Sequence, residues 1–408
     1  MSYWITSRNL GALFPPICGT PPRCKSVYVG KSRLRGPYFY NPFELYSQGV
    51  LTSPNLMVFG QIGYGKSALV KAILNRHLEI GYRVCILDPK GEYQQLTQMN
   101  SGSSFAFGTK KGAGLNPLSF QGGNPSNGDA VHLERLSNLV VTFSAILDRP
   151  ISSLEEYVIE NALSNCENRH DLVDMNDLYQ ELQYLARSQE GSAENRYYEE
   201  SDCARSLGIE LRRYLFGDLI GIIDGRKADP KANIELGRIL NVDLFTASNP
   251  GVMAVGVPVF LSLLKNALSK GGHKYLIALD EAWMALSSPG CVGFFRSYWK
   301  LARSYGIANI AVVHRSEDLL VPGDQASGGG QIAAGLVSDS QTFIIFHLDP
   351  VPARKIGGLL ELTETEISLL GTLKRGSCLW KVAGETFIVD VQLTDKERKI
   401  FDTDARMV

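Results

Sequence analysis

The chain has 408 residues, of which 44% are hydrophobic and 20% charged, a balance that excludes disordered, collagenous and membrane-embedded classes. Its 41 Lys and Arg against 42 Asp and Glu leave a formal charge of −1, which argues against a uniformly basic nucleic-acid binder and leaves a local basic strip open. The length fits two to three domains, or one large domain carrying an insertion. The seven cysteines are widely spaced, with no C-x-x-C pair. That usage fits a reducing cytoplasm rather than a disulfide framework or a zinc site.

Residues 1–50 read as an irregular N-terminal segment. They hold Pro15, Pro16, Pro21, Pro22, Pro37 and Pro42, with Arg23, Lys25, Lys31, Arg33 and Arg35 among them. Met1 to Thr20 lacks the pattern of a signal peptide. The run from Val252 to Leu264 is too short for a membrane span and reads as a buried helix, so any membrane association is expected to come through a partner.

Leu56 to Phe59 is the first clear strand, and it runs into Gly60-Gln61-Ile62-Gly63-Tyr64-Gly65-Lys66-Ser67. A helix follows from Ala68 to near Gly81, then a second strand, Arg83 to Leu87, ends at Asp88-Pro89-Lys90-Gly91-Glu92-Tyr93. Strand, loop, helix and strand in this order imply a parallel α/β sheet. From Gly122 the chemistry turns to that of a loop and then to helical patterns. Ser152-x-x-Glu155 reads as a capping box, and Leu178, Leu182, Leu185 and Leu207, Leu211, Leu215 mark two further helices. Residues 125–240 are therefore read as an all-α insertion between a first part of the core, 51–124, and a second part, 241–408. Strands return at Asn241–Phe245, Lys274–Leu279, Ile307–Val313 and Thr342–Phe346, and a hairpin closes the chain at Ser377–Val382 and Glu385–Val391.

Gly60 to Ser67 fits G-x-x-x-x-G-K-[ST] throughout. Glycines at those places let backbone N–H groups turn inward onto phosphate at a helix N-terminus. The expected nucleotide-binding set is Gly60, Gln61, Ile62, Gly63, Tyr64, Gly65, Lys66, Ser67 and Ala68, with Lys66 reaching the β- and γ-phosphates of ATP and the Ser67 hydroxyl holding Mg²⁺. Leu276 to Glu281 reads as Walker B, in which Asp280 holds Mg²⁺ and Glu281 polarises the attacking water. His314 or Arg315, after the strand Ile307–Val313, could sense the nucleotide. Asp88 and Glu92 could face the same crevice, although Asp88-Pro89 reads equally as a turn. Arg303 and Arg375 are the candidates for an arginine finger from a neighbouring subunit. Trp283 and Trp299 read as packing residues.

The order of these signals, with Leu115-Asn116-Pro117-Leu118 and Leu279-Asp280-Glu281-Ala282-Trp283, resembles the HerA/FtsK superfamily. Within it the chain looks like the ATPase domain of the TraC/VirB-type ATPases of conjugation and type IV secretion, over residues 40–395. The resemblance implies a RecA-like P-loop NTPase fold with a mainly parallel central sheet and an inserted all-α subdomain. It also implies a homo-oligomer, hexameric or otherwise ring-like, which hydrolyses ATP in the cytoplasm or peripherally at the inner face of the membrane. The implied partners are inner-membrane secretion or conjugation components. A HerA/FtsK-like or coupling-protein-like DNA translocase is the alternative, with DNA as partner, and a nucleotide-switched scaffold is the third reading. Two departures stand out. His314-Arg315 occupies the place of the family's Thr-Gln, and about fifty residues precede the motor where members usually carry a large domain, as in a motor-only form or one part of a split system.

Overall fold

The computed structural model describes residues 26–33, 36–107, 114–119, 128–170, 172–188, 195–224, 237–244, 252–268, 272–280, 292–313 and 335–401. Their strands form one eleven-stranded sheet. In chain order they are β1 (Val27–Ser32), β2 (Gly36–Tyr40), β3 (Leu56–Phe59), β4 (Arg83–Asp88), β5 (Ser103–Ala106), β6 (Ile239–Asp243), β7 (Tyr275–Leu279), β8 (Ile307–Val313), β9 (Thr342–Ile345), β10 (Ser377–Val382) and β11 (Glu385–Val391). Across the sheet the order is β2-β1-β11-β10-β9-β3-β8-β7-β4-β6-β5.

From β9 to β5 every neighbouring pair is parallel. β3, β7 and β8 are buried at every residue, as the near-continuous apolar runs require of a parallel sheet covered on both faces. Alternate residues serve opposite layers. Met57, Phe59, Cys85, Leu87 and Ile277 join one core, and Leu56, Val58, Val84, Ile86 and Leu276 join the other.

The second of these cores is closed by α2 (Lys66–Glu79), α3 (Gln94–Met99) and α12 (Asp395–Phe401), which follow α1 (Pro42–Ser47) or close the chain. The first is closed by α4 (Gly128–Ile146), α5 (Ser153–Arg169), α6 (Met175–Ser188) and α7 (Asn195–Phe216), which lie in the chain between β5 and β6, and by α8 (Val257–Leu268) and α9 (Val292–Leu301). Ser152 and Glu155 form the expected capping box at the head of α5. Leu178, Leu182, Leu207, Leu211 and Leu215 are all buried. Val252–Gly256 is a π-helical turn ahead of α8, so the apolar run there is one buried helix with a wider first turn. α10 (Pro350–Leu359) and α11 (Glu364–Leu370) precede the final hairpin.

Among the described residues of the N-terminal segment, the structure corrects the reading as irregular. β1, β2 and α1 occupy 27–47, and β1 pairs antiparallel with β11, carrying the sheet beyond its parallel part. The cause is aromatic packing: Tyr38 and Tyr40 meet the buried Trp380 ring edge-on, at 5.1 and 5.0 Å between centroids. Pro37 is tolerated because β2 is an edge strand. Asn41 then caps α1, accepting from the amides of Phe43 and Glu44, with Pro42 at the first helical position.

Candidate functional site

β3 lies in the middle of the sheet, between β9 and β8, and delivers Gly60 to its carboxyl edge. Gly60 has φ 141, and a Cβ there would stand 2.5 Å from the Cβ of Phe346, so only glycine lets β9 lie this close. Gly65, φ 101, is the N-cap of α2 and brings no side chain to cap it. A helix start without a side-chain cap is one that suits an anion. Lys66 is buried and folds back over the loop, its Nζ donating to the carbonyls of Gly60 at 2.5 Å and Gln61 at 2.8 Å.

Two segments brace this loop. The Gln61 amide donates to the His347 carbonyl at 3.0 Å, and the Gln61 side chain donates to the Asp349 carboxylate. Asp349 is the N-cap residue of α10, yet its side chain makes no cap bond. The Tyr64 ring stacks on His347 at 4.3 Å and 9°. From the other side the Gly376 amide donates to the Tyr64 carbonyl at 3.1 Å. Arg375, exposed and next in the chain to Gly376, is therefore held beside the phosphate loop of its own chain.

Arg303 lies elsewhere. It sits in the 3-10 turn Ala302–Tyr305 that leads into β8, and donates to the Thr52 carbonyl at 2.8 Å, ahead of β3. β8 runs parallel to β3, so this is the amino edge of the sheet, away from the loop.

β7 is separated from β3 by β8 alone and ends at Asp280, which is buried and whose amide donates to the Leu87 carbonyl at 3.3 Å. Glu281, Trp283, His314 and Arg315 lie outside the described residues. Asp88, at the end of neighbouring β4, is fully buried and holds the turn that follows it. Its carboxylate accepts from the amides of Lys90 at 3.3 Å, Glu92 at 3.0 Å and Tyr93 at 2.9 Å. Burial pushes its carboxyl above the ordinary value, against the pull of those amides.

Lys71 was not singled out by its sequence position, yet its side chain is 1% exposed and its Nζ lies 3.5 Å from Glu92 Oε2. Burial lowers its ammonium, while the charges of Glu92, Asp280 and Asp88 act the other way. The signal that could have found it is a lysine inside an otherwise apolar stretch, Ala68-Leu69-Val70-Lys71-Ala72-Ile73-Leu74. Burial, and then the charges of Asp280, Asp88 and Glu92, push the Tyr93 phenol well up.

The Leu115–Leu118 element is a junction to the helices. The Asn116 side chain donates to the Val173 carbonyl at 3.1 Å, and Asn138 and Arg135 of α4 donate to the carbonyls of Pro117 and Leu118 at 3.1 and 2.9 Å. Trp299 is a packing residue as read, buried with its indole N–H donating to Ser340 Oγ at 3.2 Å.

The family described as "Helicase HerA, central domain" matches residues 50–241. None of the curated proteins matches the chain in sequence. Among solved structures, VirB4 of Thermoanaerobacter pseudethanolicus is 21% identical with a TM-score of 0.73, covering 91% of this chain and 98% of that one. The bacterial conjugative coupling protein TrwB, lacking its N-terminal segment, is 14% identical with a TM-score of 0.58, over 96% of this chain and 92% of that one. TrwB in complex with ADP and Mg²⁺ is also 14% identical, with a TM-score of 0.57 over 96% and 93% of the two chains. The glycine-rich loop on a central parallel strand and these likenesses agree: residues 50–241 match the HerA central-domain family, and the chain has a RecA-like fold that resembles those of VirB4 and TrwB.

Proposed function

We propose that the chain is a Mg²⁺-dependent ATP hydrolase that energises a conjugation or type IV secretion-like apparatus, working as a ring of its own copies. The observation that carries this reading is the phosphate loop itself. A glycine turn leaves the central strand, a helix without a side-chain cap follows it, and Lys66 is folded over the place where phosphate would lie.

On this reading ATP draws Lys66 away from the Gly60 and Gln61 carbonyls and onto the β- and γ-phosphates. Ser67 and Asp280 are the oxygen donors suited to Mg²⁺. One is a hydroxyl on the first turn of α2, and the other a buried carboxylate on the same edge of the sheet. When bound, that ion neutralises charge on the phosphates. Glu281 orients and polarises the attacking water, and Arg315 senses the nucleotide. Arg303 and Arg375 are the two candidates for a finger that reaches a neighbouring subunit's nucleotide, one at the amino edge of the sheet and the other beside its own chain's loop. The protein works at the cytoplasmic side of the inner membrane, docked on membrane components of the apparatus. Among the described residues no helix is long and apolar enough to cross a membrane.

The match to the HerA helicase central domain supports a second reading, a DNA translocase. Mg²⁺-ATP turnover by the purified protein, with and without DNA, separates the two. Turnover indifferent to DNA is expected of the secretion ATPase. Strong, salt-sensitive stimulation by DNA would replace that reading with the translocase, because a motor that tracks phosphates couples turnover to that contact. Absence of turnover under every condition would overturn both.

A further inference from the structure

Lys71 is a charge in a place where charges are costly. It lies on α2 five residues beyond Lys66, with a side chain only 1% exposed. An ammonium in such a place is retained only when acids compensate it. Three do so here. Glu92 Oε2 is 3.5 Å away, and Asp88 and Asp280 act on Lys71 through their charge. The ammonium also lies 5.1 Å from the centre of the Tyr93 ring. The turn that brings Glu92 and Tyr93 here is the one held by the Asp88 carboxylate. One helix therefore carries both the phosphate-loop lysine and a buried lysine that meets Glu92 and Tyr93 of the turn after β4.

We propose that Lys71 is a positioning residue of the Mg²⁺-ATP site, tying the phosphate-loop helix to the Asp88–Tyr93 turn through Glu92. The inference rests on the proposed role of Asp280. On this inference Lys71 acts without touching phosphate. Its effect falls on how α2 and the acids at the ends of β4 and β7 are held relative to each other, so it belongs to turnover and not to nucleotide capture.

The test is steady-state Mg²⁺-ATP turnover of wild type, Lys71→Met, Glu92→Gln and the double variant, with binding of a fluorescent ATP analogue measured alongside. Methionine keeps the unbranched stem and removes the charge. Lys71→Met is expected to lower kcat roughly tenfold while the affinity for the analogue stays within about twofold. Glu92→Gln, at a partly exposed side chain where folding is less at stake, is expected to lower kcat in the same direction, and it carries the test if Lys71→Met does not fold. The double variant is expected to be no worse than Lys71→Met alone, because the two groups act as one link. A wild-type kcat in either single variant, additive losses in the double, or a loss confined to analogue affinity would overturn the inference while leaving the ATPase reading in place. A wild type without turnover would overturn both.

Discussion

The two ends of α2 are built in opposite ways. Its amino end is a glycine N-cap with no side-chain cap, and its first residue, Lys66, leans back on loop carbonyls that a phosphate can replace. Its carboxyl end is anchored. The Arg76 guanidinium donates to both oxygens of Glu397, at 2.9 and 2.6 Å, to the Gln392 carbonyl at 2.7 Å and to the Tyr28 carbonyl. Glu397 in turn accepts from the amide of Thr394 at 2.8 Å at the head of α12. One side chain so joins β1, the segment after β11, and α12. A loop that rearranges around a ligand needs a helix that does not drift, and here Lys66 at the adaptable end and Arg76 at the anchored end are ten residues of one helix apart.

Substitutions along α2 sharpen or break that contrast. The largest expected effect is at the amino end. Lys66→Ala is expected to reduce ATP turnover about a thousandfold, while the unfolding free energy in urea changes little, because the lost contacts are to loop carbonyls that water can satisfy. A turnover within tenfold of wild type would remove Lys66 from the proposed role.

At the carboxyl end the signs reverse. Burial works against the charge of Glu397, and Arg76 with the Thr394 amide holds its carboxyl below the ordinary value. Arg76→Ala leaves that carboxylate buried without its cation and is expected to cost about 3 kcal/mol of stability, read from the denaturation midpoint. Turnover per folded molecule should be kept. A large loss of turnover in a fully folded Arg76→Ala protein would show that the two ends are not separable.

The smallest effect concerns His77, the next residue. It is fully buried, bonded through Nδ1 to the Ile73 carbonyl at 2.7 Å, and burial lowers its imidazole to about 4 from the ordinary 6.5. The unfolded chain takes up a proton below the ordinary value that the folded chain refuses. The contribution is therefore intact above that value and is lost as pH falls toward 4. By pH 5 the loss amounts to about 2 kcal/mol. His77→Leu is expected to flatten that part of the pH dependence of the denaturation midpoint, and an unchanged slope would contradict it.

The same contrast explains what could be read in the sequence. The phosphate loop is contiguous, because a strand end, a turn and a helix start are neighbours in the chain, and its glycines and lysine stand at fixed offsets. β3, β7 and β8 showed as apolar runs, and the last hairpin lies at the residues expected, Ser377–Val382 and Glu385–Val391. The anchor was invisible because Arg76 and Glu397 are 321 residues apart and neither belongs to a local pattern. β2 was hidden by Pro37, whose meaning depends on whether a strand lies at an edge, and β1 by the Pro-rich, basic sequence around it. Lys71 was hidden by the usual habit of lysines to face water. Arg303 and Arg375 had equal standing in the sequence, since spacing does not say at which edge of a sheet a turn will lie. The structure puts Arg303 at the amino edge and Arg375 beside the loop.

The most direct test of the central claim, that the amino end of α2 holds the phosphates of a nucleotide, is calorimetric titration of ATP with Mg²⁺ into wild type and Lys66→Ala. The expected result is saturable binding by the wild type, weakened at least about a hundredfold by the substitution. Equal affinity in the two proteins would contradict the account.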